Sequence, residues 1–568
     1  GSTYEYAYDA NNCMESMVHT CGTHTMKTVY TYDKDSRETK TRCAKTFERT
    51  TEYDKFGRVS RRTWNTASPY ISAYTYIDKG ENRYSLPKTV KNGSETLNYT
   101  YDANGNIISI KDSAGESTFR YDELNQLIRE NNHQLNKTIT YAYDLGGNLT
   151  VEKEYAFTTA ETLPDTPVKT MTETYDSAWK DKLLSWDGTA MTYDAIGNML
   201  TRGGTTYTWT QGRRLSGVEN GKSIKYLYDH TGARVKKTVD NTVTEYQWAG
   251  DLLLSEKTDG RIIWYCYDSQ ANLISVTIRG ITYFYVRNVQ GDIIALVDAD
   301  GKVVVKYTYD SWGKVVAVTG ELADTVGVQN PFRYKGYYYD NETGMYYLKS
   351  RYYDAEIKRF ICMDKYFMTN RGMNKSNMLV YCENNPINRV DMFGTCWYDA
   401  KGNWRHDNWE YKGNYKRQPK PAGKPNINIT YKLNKTMRNN AEELRNYRKE
   451  NGYASAVGYF ISKVKTGGDW DFKNQKSWNL NRDISYTYKN ETLRFDDIGN
   501  IHYGYVGREL FGVGMLVAGG GAYQIKTDYP NIQWNHFWSL FDDPQDQWMV
   551  IFGSTLWDAD MDNSYYKF

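Results

Sequence analysis

The sequence predicts a mainly β protein: a long spiralling sheet built on a Tyr-Asp repeat, followed by a small α+β domain at the C-terminus. Three observations predict it. A Tyr-x-Tyr-Asp element recurs between residues 4 and 320, in units of roughly 20 residues. The composition holds 53 Tyr and 45 Gly against 11 Pro, which suits many short strands joined by tight turns. After Gly394 the repeat stops and the residue usage changes.

The repeat is clearest at Tyr99-Thr-Tyr-Asp102-Ala-Asn-Gly-Asn-Ile107, Phe119-Arg-Tyr-Asp122-Glu-Leu-Asn-Gln-Leu127 and Tyr141-Ala-Tyr-Asp144-Leu-Gly-Gly-Asn-Leu149. It returns at Asp194, Asp229, Asp268 and Asp310, and in more worn form at Asp33 and Asp54. Alternation with period two puts both aromatic rings on one face of a strand. Asp and the following Gly-Asn then supply a turn, because Gly and Asn tolerate positive φ and Asp bonds its own backbone. Units this short cannot bury a face alone and must stack into one continuous core. A sugar-binding platform of aromatic rings is the other reading of such a repeat, but the alternation favours ladder packing.

A chain of 568 residues is too long for one core. The formal charge of +2 gives no overall field towards nucleic acid or an anionic membrane. The longest apolar run, 511–523, is rich in Gly and well short of a membrane span. Seven scattered Cys with no CxxC pair argue against a disulfide framework and against a cysteine metal site. The opening Gly1-Ser2 has the look of a cloning remnant, so a natural N-terminus further upstream is expected.

Beyond the repeats comes Pro331-Phe-Arg-Tyr-Lys-Gly-Tyr-Tyr-Tyr-Asp340-Asn-Glu-Thr-Gly344, then Arg351-Tyr-Tyr-Asp354, Arg359-Phe360, Asp364, Asn384-Asn-Pro386 and Asp391-Met-Phe-Gly394. Residues 4–395 resemble the Rhs/YD-repeat family, which includes the C component of Tc toxins, bacterial Rhs toxins and the teneurins. The segment 331–395 resembles its repeat-associated core. The resemblance implies that the sheet of residues 3–330 closes into a shell around a C-terminal toxin. It also implies that the core is an intramolecular aspartyl protease, with Asp364 and Asp391 as the acid/base pair, Arg359 beside them, and a cut at Thr395-Cys396. Paired carboxylates suit peptide hydrolysis, since one can act as base and the other as acid. Lys365 and Met392 depart from the pattern, which usually has Pro at both positions. A shell of residues 4–320 alone is expected to be incomplete, so a longer parent chain is expected.

Residues 396–430 read as a variable linker and 431–568 as the C-terminal domain, with helix predicted over 435–466. From residue 396 onwards the chain holds 23 Lys+Arg against 20 Asp+Glu, too even for a dedicated non-specific DNA binder. Its clusters are Lys465-Thr-Gly-Gly-Asp469-Trp-Asp471, Asp496-Asp497 through His502 to Arg508, Gly519-Gly-Gly521 and Asp542-Asp543-Pro544. In order and spacing they resemble polymorphic toxin type 44, for which the resemblance implies a ribonuclease. Metal-independent RNA cleavage needs a base, an acid and a cation for the phosphate. His502 or His536 fits the first two roles, Asp469 or Asp471 a partner, and Lys465 or Arg508 the cation.

Other readings stay open. His502 beside Tyr and Gly also fits a hydrogen-bonded structural residue. The glycine run lacks the Lys-Ser/Thr sequel of a phosphate loop. The Asp pairs could bind a divalent metal, but helix N-caps are the preferred reading, and no cofactor or metal site is predicted. A peptidoglycan hydrolase working with two carboxylates and exposed aromatics is the rival class. A non-enzymatic binding module is a third. The resemblance further implies a cognate immunity protein, a secretion apparatus, export from a bacterium, and a target in RNA or cell wall.

Overall fold

The computed structural model describes residues 2–9, 13–43, 47–77, 86–364, 377–394, 397–399, 404–405, 426–464, 469–470, 478, 485–488, 491–493, 497–507 and 509–510. The chain divides into two compact units, Gly1–Asp407 and Asn408–Phe568.

Among the described residues, the first unit holds one sheet of 30 strands, from Ser2–Tyr8 to Val315–Thr319. Strands adjacent in sequence pair antiparallel throughout, as in Glu95–Tyr101 with Ile107–Lys111 and Lys137–Tyr143 with Leu149–Ala156. The repeat explains each step. In the turn after Tyr101, the Asp102 carboxylate accepts both the backbone N–H and the side-chain amide of Asn106, each at 2.8 Å. Gly105 supplies the left-handed residue, at φ +88°. The turns at Asp122, Asp144 and Asp194 repeat the arrangement, with Asn125, Gly147 and Gly197 as their left-handed residues. The Asx-type acceptor satisfies turn N–H groups that no ladder reaches.

The second tyrosine of each motif has a separate task. Tyr32, Tyr53, Tyr76, Tyr101, Tyr121, Tyr143, Tyr228 and Tyr309 each donate the phenol O–H to a backbone carbonyl 13–18 residues earlier, at 2.7–2.8 Å. A β-bulge falls beside this tyrosine, as at Arg120/Tyr121 and Ala142/Tyr143. The bulge aims the ring back at the preceding unit, and the hydrogen bond pins strand register. The first aromatic of the motif is buried core, as with Tyr99, Phe119, Tyr141 and Tyr226. The residue between the two rings is exposed at Thr100, Arg120, Ala142 and Leu227.

Strands more than 200 residues apart also meet, so the sheet winds over itself. The Tyr30 phenol donates to the Tyr267 carbonyl at 3.1 Å. Buried Arg49 lies between Glu38 at 2.9 Å and Asp268 at 3.0 Å. Across the same seam runs a Cys43–Cys266 disulfide, spanning 223 residues. This corrects the expectation from cysteine spacing: the pairing is set by the winding, and no local pattern of Cys announces it.

Residues 331–364 and 377–394 pack on the spiral. Four short strands, Tyr338–Asp340, Met345–Tyr347, Tyr352–Asp354 and Arg359–Phe360, form their own antiparallel sheet. Arg234, 1% exposed, reaches out of the spiral to Asp340 and is surrounded by the rings of Tyr226, Tyr246, Tyr338 and Tyr347 at 4.5–5.2 Å. Lys358 pairs with Glu152 at 2.7 Å. Cys382, Glu383 and Asn384 are three successive left-handed residues, and they swing a row of buried asparagines onto the repeat turns. The Asn388 side-chain oxygen Oδ1 accepts the Ile107 N–H at 2.7 Å, and the Asn385 side-chain amide donates to Asn106 at 3.2 Å. The Asn384 amide donates to Gln126 at 2.8 Å and to the Gly147 carbonyl at 2.7 Å, and that of Asn377 to Asn148 at 2.7 Å. Beyond Gly394, Trp397–Asp399 pairs with Arg389–Val390 and with Trp404–Arg405. The front of the expected linker is therefore strand.

The second unit is α+β. Helices α1 (Thr430–Asn451) and α2 (Tyr453–Val464) replace the single helix expected over 435–466. The break is Gly452, at φ +80°. A third helix, α3, spans Asp497–Gly507. Asn426–Asn428 runs parallel to Ser485–Tyr488, which pairs antiparallel with Glu491–Leu493. Leu433, Met437, Leu444, Phe460, Trp470, Tyr488 and Ile501 form the core. Among the described residues, no helix is long and apolar enough to cross a membrane.

Candidate functional site

The turn 348–351, with Lys349 left-handed at φ +61°, feeds the strand Tyr352–Asp354 and turns Arg351 inward. The guanidinium lies flat over Phe360, 3.5 Å from the ring centroid. Its Nη1 donates to the Met378 carbonyl at 2.8 Å. Nη2 alone faces two carboxylates: Asp364 Oδ2 at 3.1 Å and Asp391 Oδ2 at 3.5 Å. Nε donates to the Gly394 carbonyl. All three charged residues are buried, with Asp391 only 3% exposed. Desolvated charges of this kind persist where they are paired and hydrogen-bonded.

Asp391 is held at both ends. Its N–H donates to the Tyr337 hydroxyl at 2.8 Å, and its Oδ1 accepts the Phe393 N–H at 3.3 Å. The next residues are gripped as well. Ser350 Oγ lies 2.6 Å from the Phe393 carbonyl oxygen and 2.8 Å from that of Gly394. The site thus joins two aspartates 27 positions apart to a fixed stretch of main chain. It can supply a base and an acid to a peptide bond beside that stretch.

Of the residues singled out in sequence, the fold brings Asp364 and Asp391 onto one cation, and that cation is Arg351. Arg359 points elsewhere: its Nη2 donates to the Asp181 carbonyl at 2.8 Å and to Asn148 at 3.3 Å, which ties it to the spiral. Arg351 was missed because no spacing separates one arginine from the other; only the turn before Tyr352 does. Thr395 and Cys396 lie outside the described residues, as do Lys465, Asp471, Arg508 and His536.

In the second unit, His502 sits on α3 with no exposure. The Asn440 side-chain nitrogen is 2.9 Å from its Nε2, and the ring meets Trp470 edge-on at 5.7 Å. Burial lowers its pKa to about 3, so the imidazole is neutral near pH 7. The ring is part of the packed core of this unit. Asp469 is exposed and pairs with Lys463 at 2.7 Å.

Three segments match known sequence families: residues 101–134 the RHS Repeat, 164–387 the Teneurin YD-shell, and 459–559 Bacterial toxin 44. The tRNA3(Ser)-specific nuclease WapA of Bacillus spizizenii is 32% identical over 377 residues, covering 56% of this chain and 16% of the relative. The tRNA nuclease WapA of Bacillus subtilis is 33% identical over 396 residues, covering 58% and 16%. The Double-stranded DNA deaminase toxin A of Burkholderia cenocepacia is 25% identical over 394 residues, covering 62% and 25%. The chain therefore spans about a sixth of the length of the two WapA relatives. The crystal structure of TcdB2-TccC3-Cdc42 shares the fold of 68% of this chain and 23% of its own, with a TM-score of 0.50 and 18% identity.

Proposed function

We propose that an Rhs/YD-repeat spiral here carries a C-terminal RNA-cleaving toxin and releases it by intramolecular aspartyl proteolysis at Thr395-Cys396. One guanidinium carries the reading. Arg351 holds Asp364 and Asp391 through a single nitrogen and grips the Gly394 carbonyl, one residue before that bond. One aspartate takes a proton from water as the hydroxide adds to the Thr395 carbonyl carbon. The C–N bond then breaks as the other aspartate gives its proton to the Cys396 nitrogen. The products are a carboxylate on the spiral and a free amine on the toxin.

The toxin half of the reading is supported by the match of residues 459–559 to Bacterial toxin 44 and by likeness to relatives named as tRNA nucleases. A relative of similar coverage is named for DNA deamination, so likeness over that part of the chain does not choose the substrate. The choice of RNA rests on the toxin segment. Export from a bacterium, an apparatus for it, delivery into a neighbouring cell and an immunity protein in the producer complete the reading.

Intact mass of the purified chain tests release. Two fragments meeting at Thr395-Cys396 are expected, and one uncut 66.0 kDa species from Asp364→Asn and Asp391→Asn variants. An uncut wild-type chain overturns it. Expression in bacterial cytoplasm tests the toxin: fragmented RNA is expected, whereas toxicity seen only after export, with RNA intact, points to the cell wall.

A further inference from the structure

The geometry points to a register clamp on the cleaved strand: Ser350, with Lys349 beside it, fixes which peptide bond meets Asp364 and Asp391. This rests on the self-cleavage reading and adds what chooses the bond.

The tight turn 348–351 is closed by the Ser350 N–H on the Leu348 carbonyl at 2.7 Å and the Leu348 N–H on the Arg351 carbonyl at 2.9 Å. It presents three donors to two consecutive carbonyls of the outgoing strand. Phe393 O lies 2.6 Å from Ser350 Oγ and 3.3 Å from Ser350 N. Gly394 O lies 2.8 Å from Ser350 Oγ and also receives Arg351 Nε. The hydroxyl alone spans both carbonyls, so it alone reads their spacing. Sliding the segment by one residue would carry both carbonyls away from these donors and leave them unmet.

Two further contacts fix the same register. The Lys349 ammonium sits 4.2 Å from the centre of the Phe393 ring while pairing with Asp251 of the spiral at 2.9 Å. Gly394, left-handed at φ +70°, has no room for a side chain. A Cβ there would lie 2.7 Å from Ser350 Oγ and 2.9 Å from the Leu348 carbonyl oxygen. The turn therefore accepts a large ring followed by a glycine and rejects the neighbouring frames.

Ser350 acts through the Phe393 and Gly394 carbonyls, so it is a positioning residue, and its signature is where the chain is cut. The test follows the full chain through self-cleavage by intact mass, comparing wild type, S350A, S350T and D364N. Wild type and S350T are expected to release a fragment of one mass. S350A is expected to cut about tenfold more slowly, as the loss of one net hydrogen bond predicts, and to release fragments differing by one residue. Its thermal unfolding is expected to match that of D364N. A single wild-type mass from S350A, at any rate, overturns the clamp. An uncut wild-type chain overturns the clamp together with the self-cleavage reading, so the two failures are distinguishable.

Discussion

The spiral and the segment 331–394 are both built from tyrosine, yet they use its hydroxyl differently. In the spiral, the second tyrosine of many repeats sends its phenol to a backbone carbonyl one unit back, as Tyr121 does at Ile107 and Tyr143 at Leu127. In the later segment the hydroxyls reach across the fold: Tyr353 to the Trp312 carbonyl, Tyr346 to that of Gly313, and Tyr337 to Tyr381 and Asp391. The first arrangement is local and repeated, so each copy carries a small share of the stability. The second is built once, and each of its contacts holds something that no neighbour duplicates. Repetition makes a wall; single long-range contacts make a site.

That contrast is broken most sharply at Arg351. Its replacement by Met should lower self-cleavage by at least about 100-fold, the scale of a lost acid/base arrangement, read as fragment against time by intact mass. Cutting at the wild-type rate would mean that the shared guanidinium is incidental. Next comes Arg234→Met, which leaves Asp340 buried without its closest cation and should cost about 3 kcal/mol in urea unfolding of the first unit. Tyr143→Phe should cost only about 1 kcal/mol and leave cleavage unchanged, because one net hydrogen bond among many like it is lost. A loss as large as that at Arg234 would show the wall to be less divisible than its repetition implies.

A further effect is one of pH, read as a slope rather than as a single loss. Burial, and then the neighbouring charge of Glu152, raises the pKa of Glu173 to about 8, while burial raises that of Asp310 to about 6. The folded state binds these protons more tightly than the unfolded chain does. Their contribution is therefore full below the ordinary carboxyl pKa and is lost as pH rises through 6 and then 8. The unfolding midpoint of the first unit should fall between about pH 5 and pH 8, and Glu173→Gln should flatten the upper part of that fall.

The spiral was legible in the sequence because every contact that defines a repeat lies within one or two units along the chain. Asp102 and Asn106 announce their turn at a distance of four residues. The site was legible only in its acids. Asp364 and Asp391 stand out beside their motifs, but the cation between them comes from a turn that has no meaning until the segment folds. Arg359 was the nearer choice in sequence, and the fold spends it on Asn148 and Asp181. His502 was open to two readings, catalytic and structural. Few imidazoles were on offer, so chemistry singled it out, while the apolar spacing of Ile498, Ile501 and Tyr505 around it marked a buried helix face.

The row Asn377, Asn384, Asn385 and Asn388 makes the later segment a gauge of the repeat spacing. These side chains meet the turns at Asn106, Gln126 and Asn148, which belong to three consecutive repeat units of the sheet. Deleting a whole unit between Asp102 and Asp144 would leave the remaining strands free to pair, but the gauge would find one turn missing. Substitution within a unit is tolerated wherever the turn keeps its shape, whereas the number of units beneath the row cannot change without a matching change in the row itself.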